Sequence, residues 1–316
     1  MGSMVGHVLP GFGFFVIGLW HLFNNIKLHA RCPISYTSSP WFPTSRFKYL
    51  ELFFIIGGSC ASISAELFIG PDRHQPFDPD GTIPSHHLRN FEHASISMTL
   101  LVYAVLAIVL DRIGSKAPQY GLTMLLGSIA FAQELLLFYL HSSDHRGPEG
   151  QYHLLLQIVT TVSLATTLMG IGLPKSFLVS FVRSASILLQ GIWFIVTGFM
   201  LWTPAFIPKG CFINDEDGHK EVKCTGEEAN HRAKSLTNIL FSWLLIAFTI
   251  FTVCFYLVLV KAYGEKVEYV TLKREEEHED QDFDDIVESQ KKSELDNSRI
   301  SLIQMGKTLF TDMEIN

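Results

Sequence analysis

Histidine and glutamate recur at one end of five successive apolar segments. His7 opens the first segment, Glu66 closes the second and His93 opens the third; Glu134 and His141 fall toward the end of the fourth, and His153 opens the fifth. Consecutive spans run in opposite directions, so the end of one lies beside the start of the next, and all six residues are expected on one side. An ionisable side chain at the centre of a membrane helix costs about 2.5 kcal/mol or more and marks a functional site by default. His145 follows His141 by four residues and Glu134 precedes it by seven. These spacings put side chains on one helix face, Glu134 about 10 Å deeper, with the two imidazoles at the interval that can share a metal. Imidazoles with one carboxylate suit zinc, or less specifically iron or copper. Three such ligands and a bound water would supply hydroxide at neutral pH. Glu66 is the better carboxylate candidate, because Glu134 lies deeper. Two other readings use the same residues: hydrogen bonding across helices to Ser59, Ser95, Ser97 or Gln133, which would pack the bundle, or passage of a proton or small solute. Spacing alone does not choose among the three.

The elements that must position these residues are legible as apolar runs. The chain has 316 residues, 48% hydrophobic and 17% charged. Runs at 5–23, 49–69, 93–110, 120–140, 152–173, 184–202 and 236–260 match the roughly 30 Å hydrocarbon core of a bilayer. They are continuous rather than alternating, so they read as helices. The expectation is an all-α integral membrane protein, a seven-transmembrane-helix bundle over residues 1–262 in contact with the lipid bilayer. Residues 263–316 read as an acidic, disordered cytosolic tail. The first run lacks a positive leader and a small-residue cleavage site, so it reads as a retained span. The net charge of −7 suggests no nucleic-acid surface. Gly11, Gly13 and Gly18 in the first span and Gly57 and Gly58 in the second read as helix-packing positions. Pro10 is expected to mark or loosen the start of the first helix. Gln190, Trp193, Asn238 and Trp243 read as a second polar layer, while His74, His86 and His87 read as hydrated loop residues.

Charge sets the expected orientation. Loops one, three and five and the start of the tail carry twelve Lys and Arg, Arg183 among them, against eight on the other side. The excess favours the first set as cytosolic, with the amino terminus exoplasmic and the carboxyl terminus cytosolic. Cys211 and Cys224 share one exoplasmic loop and are expected to form a disulfide there. Cys60 and Cys254 fall within spans and read as packing residues.

Several motifs resemble the transmembrane protein 45 family, in a plant-type form. They are Gly6-His-Val-Leu-Pro-Gly11 with Gly18-Leu-Trp20, Leu50-Glu51, Glu66, His93, Glu134 seven before His141, His153-Leu-Leu, Leu188-Leu-Gln-Gly-Ile-Trp193, and Trp243. The resemblance covers about residues 1–262. It implies a multi-pass membrane protein of unassigned biochemistry in endomembranes or at the plasma membrane, and it carries no catalytic residues. Three functions stay open: a metal-binding membrane protein, a non-enzymatic adaptor whose tail recruits cytosolic sorting or adaptor proteins, and a proton or small-solute carrier. For the adaptor, Tyr269-Val-Thr-Leu272 fits a tyrosine-based sorting signal, with Tyr269 and Leu272 filling separate pockets of a coat protein. The topology is testable with epitope tags. A tag after Asn316 is expected to need membrane permeabilisation for antibody access, whereas one within residues 215–218 is expected to be reached from the exoplasmic side. Both tags on one side would overturn the seven-span reading.

Overall fold

The computed structural model describes residues 4–71, 74–142, 147–216 and 219–264. Within them a few side chains, including those of His86 and His141, lie outside the description, as do His145 and the Tyr269–Leu272 motif. Among the described residues seven helices are long and apolar enough to cross a membrane, which fits a multi-pass membrane protein. They are α1 (Met4–Arg31), α2 (Leu50–Ser64, continued by the π-helical turn Ala65–Ile69), α3 (Leu88–Ile113), α4 (Lys116–Ser142), α5 (Pro148–Gly172), α6 (Phe177–Trp202) and α7 (Glu227–Gly264). Most extend beyond the apolar runs, because a hydropathy window trims the polar turns that a helix keeps. α1 continues eight residues past Phe23, and α6 begins seven before Ser184. Pro10 therefore lies inside α1 rather than at its start. Local chemistry sets several ends. Pro148 opens α5 at a position where a missing N–H is harmless, and the Ser176 hydroxyl accepts the Val179 N–H to cap α6.

Around the bundle α2, α3, α4, α5, α6 and α1 pack in that order, and the closest packing is between α1 and α6. Glycine makes this possible. A Cβ on Gly18 would lie 2.3 Å from the Leu188 nitrogen, and one on Gly191 would lie 2.3 Å from the Phe15 nitrogen. Gly11 approaches the Gly191 carbonyl in the same way, and Gly198 approaches His7 and Val8. Each helix thus presents glycines seven residues apart, two turns of one face, so the backbones meet directly. The expectation for Gly13, Gly57 and Gly58 fails. An added Cβ there meets nothing within 4 Å: Gly13 and Gly58 line open space where α1 and α2 touch only slightly, and Gly57 is exposed.

α7 packs against α6, with Phe241 edge-on to Trp193 at 4.8 Å and Tyr256 against Phe177 and Phe181. Trp243 is 72% exposed, so it is not part of a buried polar layer. Cys60 and Cys254 are also exposed rather than packed. A disulfide joins Cys211 to Cys224 across the hairpin of β1 (Cys211–Glu216) and β2 (His219–Cys224), and Val222 from that hairpin joins a core of Phe138, Tyr152, Trp193, Phe194 and Leu201. The first loop is not a solvated connection. Tyr36, Trp41 and Phe42 are buried in it, and burial raises the Tyr36 phenol above its ordinary value, keeping it a neutral donor to Asn25. Replacing Gly18 or Gly191 with Leu is expected to destabilise the bundle by about 3 kcal/mol or more, since the obstacle is backbone that cannot move aside. Gly57→Ala, in open space, is expected to be neutral or stabilising by up to about 1 kcal/mol. Thermal unfolding of the purified protein in detergent measures both.

Candidate functional site

The amino-terminal end of the bundle gathers five of the seven proposed site residues. α1 begins there, α2 ends in its π turn, α3 begins, α4 nears its end and α5 begins. His7, Glu66, His93, Glu134 and His153 all line one recess of about 80 Å³, together with Pro10, Ser62, Ser97 and Phe138. That space admits several water-sized groups. All five except His93 are buried, Glu66 to 1% and Glu134 to 2% exposure. The π turn Ala65–Ile69 widens the backbone beside Glu66, a departure from α geometry that often accompanies functional sites.

Each of these polar groups has a neighbour that orients it. Asn90 donates to the Glu66 carboxylate at 3.0 Å and to its backbone carbonyl at 3.1 Å. His93 Nδ1 lies 3.6 Å from the other Glu66 oxygen. Gln190 donates to Glu134 at 2.8 Å, and Ser163 lies 3.4 Å from the Gln190 oxygen. His153 Nδ1 faces the Glu149 carbonyl at 2.9 Å, and the His7 ring sits 5.8 Å from that of His153 and 4.5 Å from Trp202. Nearby, Trp193 donates to the Tyr152 carbonyl at 3.0 Å.

This geometry gives the zinc expectation no support. Among the described residues no group of three His, Cys, Asp or Glu side chains could hold a metal ion. Zinc bonds of about 2.0–2.3 Å require ligand atoms within about 4 Å of one another. Here the Glu66 and Glu134 carboxylates instead receive the amide N–H groups of Asn90 and Gln190. His141 closes α4 with its side chain outside the description, and His145 lies outside it altogether. The expected partners differ as well. Ser97 bonds Ser62, and Gln133 bonds Thr99 and the Ser95 carbonyl, so none of these serves the carboxylates. Asn90 and Gln190 do. Among the loop histidines, His87 is buried rather than hydrated.

A second buried polar cluster at the opposite end was not anticipated. His21 Nε2 lies 2.6 Å from Glu51 Oε1, with both residues 5% exposed, and Glu51 Oε2 accepts the Phe42 N–H at 2.8 Å. Asn25 donates to Ser184 at 3.0 Å and accepts from Tyr36 at 2.8 Å. Arg183, assigned from sequence to a charged loop, is 3% exposed within α6. Taking it out of the loop count leaves eleven basic residues against eight. The i,i+4 spacing of His21 and Asn25 was the available signal, and it was lost because the apolar run ends at Phe23.

Between the clusters lies a cavity of about 420 Å³, lined by α1 to α6 and almost wholly apolar. Pro10, Phe14, Ser62, Ser97 and Leu100 line both it and the recess, so the two adjoin.

Residues 120–257 match the model of a family of unknown function, DUF716. The matched segment runs from α4 through most of α7. It includes Glu134, His153, Arg183 and Gln190 and leaves out His7, Glu66 and His93. Glu51→Ala would leave His21 and the Phe42 N–H buried without their acceptor, and removing one member of a buried pair is expected to cost about 3–5 kcal/mol. Glu134→Gln keeps an acceptor for Gln190 and is expected to change stability by less than about 1.5 kcal/mol. Thermal unfolding of the two variants in detergent checks the order.

Proposed function

We propose that this chain is a multi-pass membrane protein, amino terminus exoplasmic and carboxyl terminus cytosolic, that binds a small polar solute in its His/Glu recess and exchanges protons with it. The resemblance of its amino-terminal motifs, alongside the matched segment, supports placing it with the transmembrane protein 45 family in endomembranes or at the plasma membrane. One observation carries the functional reading: five titratable side chains from five helices line a single recess. Three imidazoles and two carboxylates offer both donors and acceptors to a solute that can do the same. Metal chemistry is not part of the proposal.

The recess is expected to be reached by water from the exoplasmic side. Ser62→Cys and Ser97→Cys, each in a background with Cys32, Cys60 and Cys254 replaced by Ser, are expected to react with a membrane-impermeant methanethiosulfonate applied to that face. The same reagent applied to the cytosolic face is expected to leave them unmodified. Labelling from neither face would remove the solute-binding reading and leave a packed polar network.

A further inference from the structure

We propose that the 420 Å³ cavity is a binding site for a long-chain carboxylate, held head-first on Arg183 with its chain extending toward the gap between α1 and α2. The proposal is independent of the recess and of the solute assigned to it.

Arg183 carries the argument. It is 3% exposed and lines the cavity, two turns into α6. A guanidinium near a helix end normally reaches out to the interface, and this one does not. No ion pair between described residues includes it. Its hydrogen bonds run to the Ser39 carbonyl at 3.2 Å and to the Met124 sulfur, a weak acceptor, at 3.0 Å. Glu51, the carboxylate among the described residues that line the cavity, is already engaged by His21 and the Phe42 N–H. A buried charge without an opposite charge is strongly unfavourable. Guanidinium has five N–H donors in a planar fork that matches a carboxylate, and two neutral acceptors leave donors for one.

The rest of the cavity suits the chain of such a molecule. Its volume falls within the roughly 300–1,000 Å³ of small-molecule sites, and its lining is apolar with a few placed polar groups, as in those sites. Its rim on α1 is formed by Val5, Leu9 and Phe12, and on α2 by Phe54, Gly58 and Ala61, all exposed. That rim would face lipid acyl chains, so a lipophilic molecule would enter sideways from the bilayer. Gly13 and Gly58 keep the space open, since a side chain at either would meet no neighbouring atom within 4 Å of its Cβ.

The experiment measures binding of tritiated oleate to full-length protein in lipid nanodiscs, with protein-free nanodiscs subtracted and oleyl alcohol as the uncharged competitor. The expected result is saturable binding near one equivalent, displaced by unlabelled oleate at concentrations at least tenfold below those needed for oleyl alcohol. Arg183→Gln is expected to weaken binding at least tenfold, with Arg183→Lys retaining part of it. Gly13→Leu combined with Gly58→Leu fills the cavity without touching Arg183 and is expected to abolish binding while the protein remains folded. Non-saturable partition alone, equal competition by the alcohol, or undiminished binding in the filled variant would overturn the proposal. If Arg183→Gln fails to fold, the competition and the filled variant still decide it.

Discussion

The direct backbone contact between α1 and α6 is the constraint on which the rest of the structure depends. Gly11 and Gly18 on one helix and Gly191 and Gly198 on the other leave no room for side chains between them. In a bilayer, apolar contact between helices is not favoured over contact with lipid, so close packing of this kind is what holds helices together. Seating the first helix on the sixth has two consequences. It draws His7 to His153 and Trp202 at the amino-terminal end. It also holds α1 away from α2, its neighbour in sequence, and so opens the cavity whose wall includes Gly13 and Gly58.

Buried polarity follows the same geometry. Glu66, Glu134, His153 and Trp193 each find a partner on a neighbouring helix or on their own, as low-dielectric surroundings demand. At the opposite end the first loop folds inward, so that Phe42 meets Glu51 and Tyr36 meets Asn25. Just outside, Lys48 is tied to Asp111, a hydrogen bond that raises the Lys48 amine above its ordinary value and keeps it charged. Arg183 stands apart from this pattern, with neutral acceptors only. The two ends thus differ in kind: one is a recess ringed by acids and imidazoles, the other holds a buried His–Glu pair and a cation hydrogen-bonded to neutral acceptors.

The seven helices were readable because their apolar runs are long and nearly free of charge. The alternation of spans then placed His7, Glu66, His93, Glu134 and His153 at one end without any three-dimensional information. Their partners could not be read that way. Asn90 and Gln190 are polar residues among many, and only the packing of α3 on α2 and the reach of the Gln190 side chain from α6 to Glu134 on α4 bring them to the carboxylates. Asn25 and Arg183 were hidden because hydropathy ends α1 at Phe23 and starts α6 at Ser184, which turns buried residues into loop residues, and His21 was left without its i,i+4 partner. The glycines show the same limit. Gly11, Gly18 and Gly13 look alike in sequence, yet two meet α6 and the third faces open space.

The seating of α1 on α6 is most directly tested by disulfide trapping. Val8→Cys with Gly198→Cys, in a background lacking Cys32, Cys60 and Cys254, places the two positions in contact, since a Cβ at residue 198 would lie 2.9 Å from the Val8 side chain. Phe12→Cys with Phe54→Cys spans the open side, where both residues are exposed. The account predicts that mild oxidation in native membranes crosslinks the first pair rapidly and the second little or not at all. Rapid crosslinking of residues 12 and 54 with none between 8 and 198 would place α1 on α2, closing the cavity, and would contradict it.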